Sequence, residues 1–194
     1  MSGKVKVGIL ISGRGSNMSA LIAAAKAEGY PAEIALVIAN VPDAGGLEAA
    51  RAEGVNAIAI DSKPFGKDRQ AHEAAMDAAL REAGVQVVCL AGFMRLLTPW
   101  FVDAWSGRML NIHPSLLPDF KGLHTHARAI AAGKEEAGCS VHVVTAELDD
   151  GPILGQARVP VLAGDTEDTL AARVLKQEHW LYPQCLADFC RTFG

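Results

Sequence analysis

The sequence predicts an α/β fold, and three observations support that class. Short, nearly continuous apolar runs, which are typical of strands buried on both faces, alternate with segments of helical periodicity over residues 5–113. Pro114 ends that alternation, and two further strand-like runs follow, separated by a Leu-Asp-Asp-Gly-Pro turn at 148–152. We therefore expect a Rossmann-like, mostly parallel sheet with helices on both faces and antiparallel strands added in the C-terminal part.

The N-terminal part supplies five strands and three helices. Strands rich in Val, Ile and Leu are predicted at 5–12, 33–40, 56–61, 85–91 and 109–113. Helices are predicted at 17–28, 46–53 and 68–83, where small and apolar residues recur on one side, as Ala71, Ala75, Met76 and Ala79 do in the third.

The C-terminal part is less regular. A long loop is expected at 116–125, a short helix at 127–132, and strands at 139–145 and 152–161. Residues 166–193 are mostly helical in pattern, with an interruption expected near Tyr182 because a proline disfavours helix in the residue before it. Without repeats or a linker-like segment, one domain over 1–194 is the simplest organisation.

Composition excludes several classes of function. The chain has 194 residues and a net charge of −4, with no block of Lys and Arg, so nucleic acid is not an expected partner. No apolar run approaches the length of a bilayer and no signal-peptide pattern is present, so we expect no membrane association and a cytoplasmic setting. The four cysteines form no C-x-x-C pair and are expected to be buried, reduced thiols.

The end of the strand at 109–113 is the most informative segment. Asn111 and His113 are two residues apart, so their side chains emerge on the same face of the strand. An amide donor beside a proton-tunable imidazole can hold an oxyanion and manage a proton, as acyl or formyl transfer requires. The alternative is that His113 is a hydrogen-bonded histidine of the core.

A second candidate follows the first strand. Gly13 and Gly15 let the backbone approach a ligand, and the helix that begins at Ser16 and Asn17 attracts anions, so a phosphate monoester is the expected ligand. The alternative is a tight strand-to-helix turn with an N-cap. A dinucleotide fits poorly, because Met18 stands where a third small residue is needed.

Three further features leave alternatives open. The apolar side chains of 93–97 either wall a slot for a flat ring or cover the core. Asp149 and Asp150 either bond their own turn or place one carboxylate against His113, which would stabilise the imidazolium. His124, His126 and His142 match no spacing of a metalloenzyme motif, so no metal is expected.

Separated motifs coincide with those of one family. They are Ile-Ser-Gly-Arg-Gly-Ser-Asn (11–17), Leu-Ala-Gly-Phe-Met-Arg-Leu-Leu (90–97), Leu-Asn-Ile-His-Pro-Ser-Leu-Leu-Pro (110–118) and Glu-Leu-Asp-Asp-Gly-Pro-Ile (147–153), reinforced by 122–126 and 177–183. Over essentially its whole length the chain resembles the phosphoribosylglycinamide formyltransferases, folate-dependent enzymes of purine biosynthesis. The Asn-x-His-Pro-Ser motif is shared with other folate-dependent formyltransferases and deformylases, whereas the Gly-Ser-Asn loop favours this family.

The resemblance implies a role for each matching residue. The catalytic group would be Asn111, His113 and Asp149. The ribonucleotide would contact Gly15, Ser16, Asn17 and Glu178, and the folate would contact Arg69, Met94, Arg95, Leu96, Leu97 and Asn111. A phosphate-binding half would then cover about 1–105 and a catalytic and folate half about 106–194. In two places the chain departs from the family pattern: Asp150 replaces a glycine and Lys121 a frequent proline.

The resemblance also implies the reaction. The formyl group of 10-formyltetrahydrofolate, the co-substrate, would pass directly to the amine of 5-phosphoribosylglycinamide, with no metal and with a monomer or homodimer as the assembly. The alternatives are a formyltetrahydrofolate deformylase, in which water replaces the amine, and a non-catalytic nucleotide-binding module. The latter has no use for Asn111, His113 and Asp149 together.

Overall fold

A computed structural model describes residues 3–193 as one seven-stranded sheet flanked by helices. The strands are β1 (Val5–Ile11), β2 (Ala32–Ala39), β3 (Ala57–Ala59), β4 (Val87–Leu90), β5 (Met109–His113), β6 (Glu136–Val143) and β7 (Ile153–Pro160). The helices are α1 (Ser16–Ala25), α2 (Gly45–Ala52), α3 (Arg69–Glu82), α4 (Pro99–Ala104), α5 (Thr125–Ala131) and α6 (Glu167–Arg191), with a single 3₁₀ turn at Lys63–Phe65.

The sheet has the order β3-β2-β1-β4-β5-β6-β7. The first five of these strands run parallel, and β6 and β7 add to β5 in antiparallel fashion. The order reverses between β1 and β4, so the carboxyl ends of these strands open into the crevice where ligands bind in such sheets. The α/β class, the mostly parallel sheet and the antiparallel C-terminal strands are confirmed.

The core explains why the strands are apolar without alternation. In β1, Val7, Ile9 and Ile11 pack into one cluster with α1, α2 and α6, whereas Leu10 faces a second cluster with α3 and α4. Gly8 faces α3 so closely that a Cβ there would lie 2.5 Å from Leu80 Cδ2. Both faces of β1 are therefore buried, as its continuous apolar run predicts.

The expected interruption of the last helix is wrong, because α6 runs unbroken through Pro183. A proline inside a helix costs roughly 3 kcal/mol. Here that cost is offset by tertiary packing, since the neighbouring Leu181, Tyr182 and Leu186 are buried against the sheet. Pro183 contributes a contact of its own, because its carbonyl oxygen accepts a 2.6 Å hydrogen bond from the Tyr30 hydroxyl.

Two short elements, α4 and the 3₁₀ turn at Lys63–Phe65, were not expected from the sequence. Other boundaries differ by a few residues; β6, for example, begins at Glu136 rather than at 139. Among the helices of residues 3–193, none has the combination of length and apolarity that crossing a bilayer would require.

Candidate active site

The candidate site lies beyond the carboxyl ends of β1, β4 and β5. Adjacent strands are about 4.8 Å apart, so the ends of β1 and β5, with β4 between them, are separated by about 10 Å. Tyr182, on α6, fixes the middle of this edge, because its buried hydroxyl lies 3.0 Å from the Leu90 carbonyl oxygen and 3.1 Å from that of Leu110. Tyr182 therefore connects α6 to both β4 and β5 beneath the loops that follow these strands.

His113 ends β5 with a fixed ring. Its Nε2 lies 2.9 Å from the carbonyl oxygen of Phe120 and donates to it, while Nδ1 faces Asp149 Oδ2 at 3.6 Å. Both side chains are almost completely buried. Because the Phe120 carbonyl occupies Nε2, Nδ1 is the nitrogen that faces Asp149 and the site. His113 is thus a buried, oriented residue, and an acid lies beside it.

Asn111 is brought to the same place together with His142, which the sequence analysis considered only as a metal ligand. Asn111 pairs with His142 across β5 and β6, and its Nδ2 lies 3.2 Å from His142 Nε2. That nitrogen is also 3.8 Å from Asp149 Oδ1. Burial lowers the pKa of His142, so the ring is neutral and can accept from the Asn111 amide. His142 could have been found only from its position opposite Asn111 in the antiparallel pair β5–β6, which requires the register of the two strands.

The loop before β7 positions Asp149. Asp149 adopts a left-handed backbone conformation with φ of 49°, and its Oδ2 accepts a 2.9 Å hydrogen bond from the Gly122 amide. Asp150 instead forms an exposed ion pair with Lys121. The two positions that depart from the family pattern therefore contact each other, and the charge of Asp150 is compensated by Lys121 rather than directed at His113.

Residues 12–15, between β1 and α1, have the form of an anion site and are called the anion-binding loop below. Gly15 has a left-handed φ of 68° and is the N-cap of α1, whose first turn carries no acidic residue to offset the positive end of the helix. The Oδ1 atom of Asn17 is buried and has no hydrogen-bond partner within residues 3–193. Ser16 is exposed beside it. Backbone amides and these side chains can together bind a phosphate group.

The segment after β4 exposes apolar surface beside this loop. Met94 and Leu96 are 70% and 66% exposed, whereas Phe93 and Leu97 are half-buried against the core. The two sequence-based alternatives both hold in part, because some side chains cover the core and others remain free to contact a ring. Arg69 lies at the same segment, since its Nη1 donates to the Leu96 carbonyl oxygen at 3.3 Å.

Glu178 is a buried carboxyl on α6. Desolvation raises its pKa to about 7, and no cation among residues 3–193 lowers it again. The helix packs against α1, which carries Ser16 and Asn17, and against β6. A buried carboxyl with no compensating charge is costly, and such groups often occur where a ligand is bound.

The remaining histidines and the cysteines form no further centre. Within residues 3–193 no group of three or more His, Cys, Asp or Glu side chains is placed to hold a metal ion. His124 is the N-cap of α5, and His126 has its pKa lowered by burial. The four cysteines are free and buried, as expected: Cys89, Cys139, Cys185 and Cys190.

The fold is a Rossmann-like sheet with a helix N-terminus suited to an anion, and an amide, an imidazole and a carboxylate lie at a neighbouring strand end. This combination is typical of α/β enzymes of the group-transfer type. Comparison with known proteins narrows the class. Residues 5–186 match the model of the formyl transferase family, and the chain belongs to that family.

Named relatives agree with this assignment. The phosphoribosylglycinamide formyltransferase of Escherichia coli is 48% identical over 181 residues, which are 93% of this chain and 85% of that one. The trifunctional purine biosynthetic protein adenosine-3 of Drosophila melanogaster is 46% identical over 184 residues. This chain spans only 14% of the length of that trifunctional relative.

Solved structures share the architecture. The phosphoribosylglycinamide formyltransferase of Brucella melitensis is 55% identical and superposes with a TM-score of 0.92 over 96% of each chain. Glycinamide ribonucleotide transformylase 1 of Symbiobacterium toebii is 43% identical, with a TM-score of 0.95 over 99% of this chain and 90% of that one.

Proposed function

We propose that this chain transfers the formyl group of 10-formyltetrahydrofolate to the amine of 5-phosphoribosylglycinamide, a step of purine biosynthesis. The relatives that align over most of their own length are named phosphoribosylglycinamide formyltransferases. The observation that carries the proposal is the meeting of Asn111, His113 and Asp149 at the end of β5, about 10 Å from the anion-binding loop of β1. That separation is of the order spanned by a ribose phosphate bearing a short amide.

The ribonucleotide binds along this edge. Its phosphate takes the N-terminus of α1 beside Gly15, where it accepts hydrogen bonds from backbone amides, the Ser16 hydroxyl and the Nδ2 group of Asn17. Glu178 contacts the rest of the ribonucleotide. Its buried carboxyl gains hydrogen-bond donors only when such a ligand is present, which offsets the cost of its burial.

The folate binds against the segment after β4. Met94 and Leu96 offer exposed apolar surface for the flat pterin, and Arg95 and Leu97 complete the segment. Arg69 adds a positive charge beside it for the anionic part of the folate. Since β4 lies between β1 and β5, this position presents the formyl group to the amine of the ribonucleotide at the end of β5.

The reaction is direct transfer. The amine nitrogen attacks the formyl carbon, and the carbonyl π electrons move to oxygen to give a tetrahedral oxyanion. Asn111 Nδ2 and protonated His113 Nδ1 donate to that oxyanion, and Asp149 stabilises the imidazolium. The oxyanion then re-forms the carbonyl as the carbon–N10 bond breaks, and the proton lost by the amine goes to N10, with Asp149 assisting through water.

One assay separates this activity from its alternatives. Protein and 10-formyltetrahydrofolate are mixed with and without 5-phosphoribosylglycinamide, and release of tetrahydrofolate is followed. Release that requires the ribonucleotide, with formation of its N-formyl product, supports the transferase. Release at the same rate without the ribonucleotide identifies a deformylase. Ribonucleotide binding with no release in either mixture identifies a non-catalytic module.

Two neighbouring aspartates provide a matched pair of variants. Asp149→Asn removes the charge beside His113, and loss of such an electrostatic partner or of an oxyanion donor lowers kcat by about 10²–10³-fold. Asp150→Asn removes only an exposed ion pair, a contact worth at most about 1 kcal/mol, so turnover stays close to that of the unaltered protein. Equal losses in the two variants would contradict the assignment of Asp149.

A further inference from the structure

The hydroxyl of Ser12 joins the loops that follow three different strands. Ser12 comes directly after β1 and is half-buried. Its Oγ donates to Asn40 Oδ1 at 2.5 Å, just past the end of β2, and accepts from the Met94 amide at 2.8 Å, in the segment after β4. One side chain thus fixes the distance between the anion-binding loop and the segment with exposed apolar surface.

Ser12 is linked to both proposed ligand-binding segments, to one through the chain and to the other through the Met94 amide. Gly13, the next residue, accepts a 3.0 Å hydrogen bond from the Gly46 amide and lies in the anion-binding loop. Beyond Met94, the segment is held at its far end by Glu73 of α3, which accepts from the Thr98 amide at 2.8 Å and from the Thr98 hydroxyl. The near end of the segment is held by the Ser12 hydroxyl, which therefore connects the anion-binding loop to the segment after β4.

We infer that Ser12 is a positioning residue that couples the two substrate sites energetically. A ligand that orders the anion-binding loop fixes Ser12, and Ser12 fixes the Met94 amide, so the second ligand meets a segment that is already ordered. Such coupling is reciprocal and typically about fivefold or more in affinity. The inference rests on the proposed function, because it takes the two ligands to be the ribonucleotide and the folate.

The test measures coupling rather than activity. Tetrahydrofolate has no formyl group, so it forms an unreactive complex with 5-phosphoribosylglycinamide. Its dissociation constant is measured calorimetrically with and without saturating ribonucleotide. We expect the ribonucleotide to lower that constant about fivefold or more in the unaltered protein. In Ser12→Ala we expect the ratio of the two dissociation constants, without and with the ribonucleotide, to approach one. In steady-state assays of the same variant, the KM for the folate rises more than kcat falls.

Two further variants make the result decisive. Ser12→Cys keeps nearly the same volume but replaces the hydroxyl with a weak hydrogen-bonding thiol, so it also loses coupling and replaces Ser12→Ala if the latter does not fold. Ser62→Ala is the matched control, because Ser62 Oγ contacts the backbone of the same Asn40 at 3.4 Å without reaching Met94. In Ser62→Ala we expect the same ratio of dissociation constants as in the unaltered protein.

The outcomes separate this inference from the function on which it rests. Unchanged coupling in Ser12→Ala or Ser12→Cys overturns the inference, as does equal loss of coupling in Ser62→Ala. A ratio of one in the unaltered protein, with both ligands bound and formyl transfer intact, overturns it and leaves the function standing. Failure of the unaltered protein to bind either ligand overturns the proposed function itself.

Discussion

Gly151 lies against the backbone of β6, and its replacement by alanine tests how closely the position of Asp149 governs the reaction. A Cβ at position 151 would lie 1.6 Å from the Val143 carbonyl oxygen and 2.8 Å from its carbonyl carbon. Cβ contacts below 3.0 Å are essentially unknown, so the loop has to move by roughly 1.4 Å. The obstacle is strand backbone, which cannot rotate away as a flexible side chain can.

Asp149 is two residues away and moves with the loop. Its carboxylate is 3.6 Å from His113 Nδ1, and a misplacement of about 1 Å at a reacting centre can cost about 10²-fold in rate. We therefore expect Gly151→Ala to lower kcat about 100-fold. The KM for the ribonucleotide changes little, because the anion-binding loop belongs to β1 and α1. Tetrahydrofolate release at saturating concentrations of both substrates gives kcat.

Stability has to be measured in parallel, since overpacking costs about 1–3 kcal/mol. Urea unfolding shows whether the variant is folded at the assay temperature. Gly45→Ala is the control, because a Cβ there meets nothing within 4 Å and the position opens α2. A folded Gly151→Ala protein with kcat within about threefold of the unaltered protein would refute the link between loop position and rate.

Three further predictions concern single groups. His113→Ala lowers kcat about 10²–10³-fold while ribonucleotide binding, measured calorimetrically, is retained; near-normal turnover would exclude its role. Burial raises the pKa of Glu178 from 4.5 to about 7, so its contribution to stability is full below pH 4.5 and is lost as the pH rises through 7. Glu178→Gln therefore stabilises the ligand-free protein at pH 8, by up to about 3 kcal/mol in urea unfolding, with little gain near pH 4.5; a pH-independent difference would contradict this. Burial also raises the thiol pKa to about 12 in Cys89 and Cys139 and to about 11 in Cys185 and Cys190. A disulfide reagent at pH 8 should therefore label no cysteine until the protein unfolds, and rapid labelling of the native protein would disprove burial.

The fold could be predicted because its signals are local. Burial on both faces makes β1 continuously apolar, and the loss of alternation after Pro114 marks the change from parallel to antiparallel strands. The proline in α6 shows the limit of local reasoning. Pro183 is unfavourable within a helix, but the packing of Tyr182 and its neighbours against the sheet decides the conformation, and that packing is non-local.

The sequence predicts that Asn111 and His113 lie together, but it does not predict how Asp149 is placed beside them. Asn111 and His113 share a face because a strand has a period of two, so their proximity follows from the sequence. The sequence offered two aspartates in a turn, and the family register chose between them. The structural reason is that Asp149 has a left-handed backbone and accepts from the Gly122 amide, while Asp150 pairs with Lys121.

His142 and Ser12 show what a pattern of residues cannot reveal. His142 reaches Asn111 only through the register of β5 with β6, and a shift of one residue would turn its ring to the other face of the sheet. Ser12 reaches Met94 only because β1 and β4 are neighbours in the sheet, although the two residues are 82 positions apart in the chain. Both contacts depend on how the strands pair in the sheet, so only the structure can identify the two residues that make them.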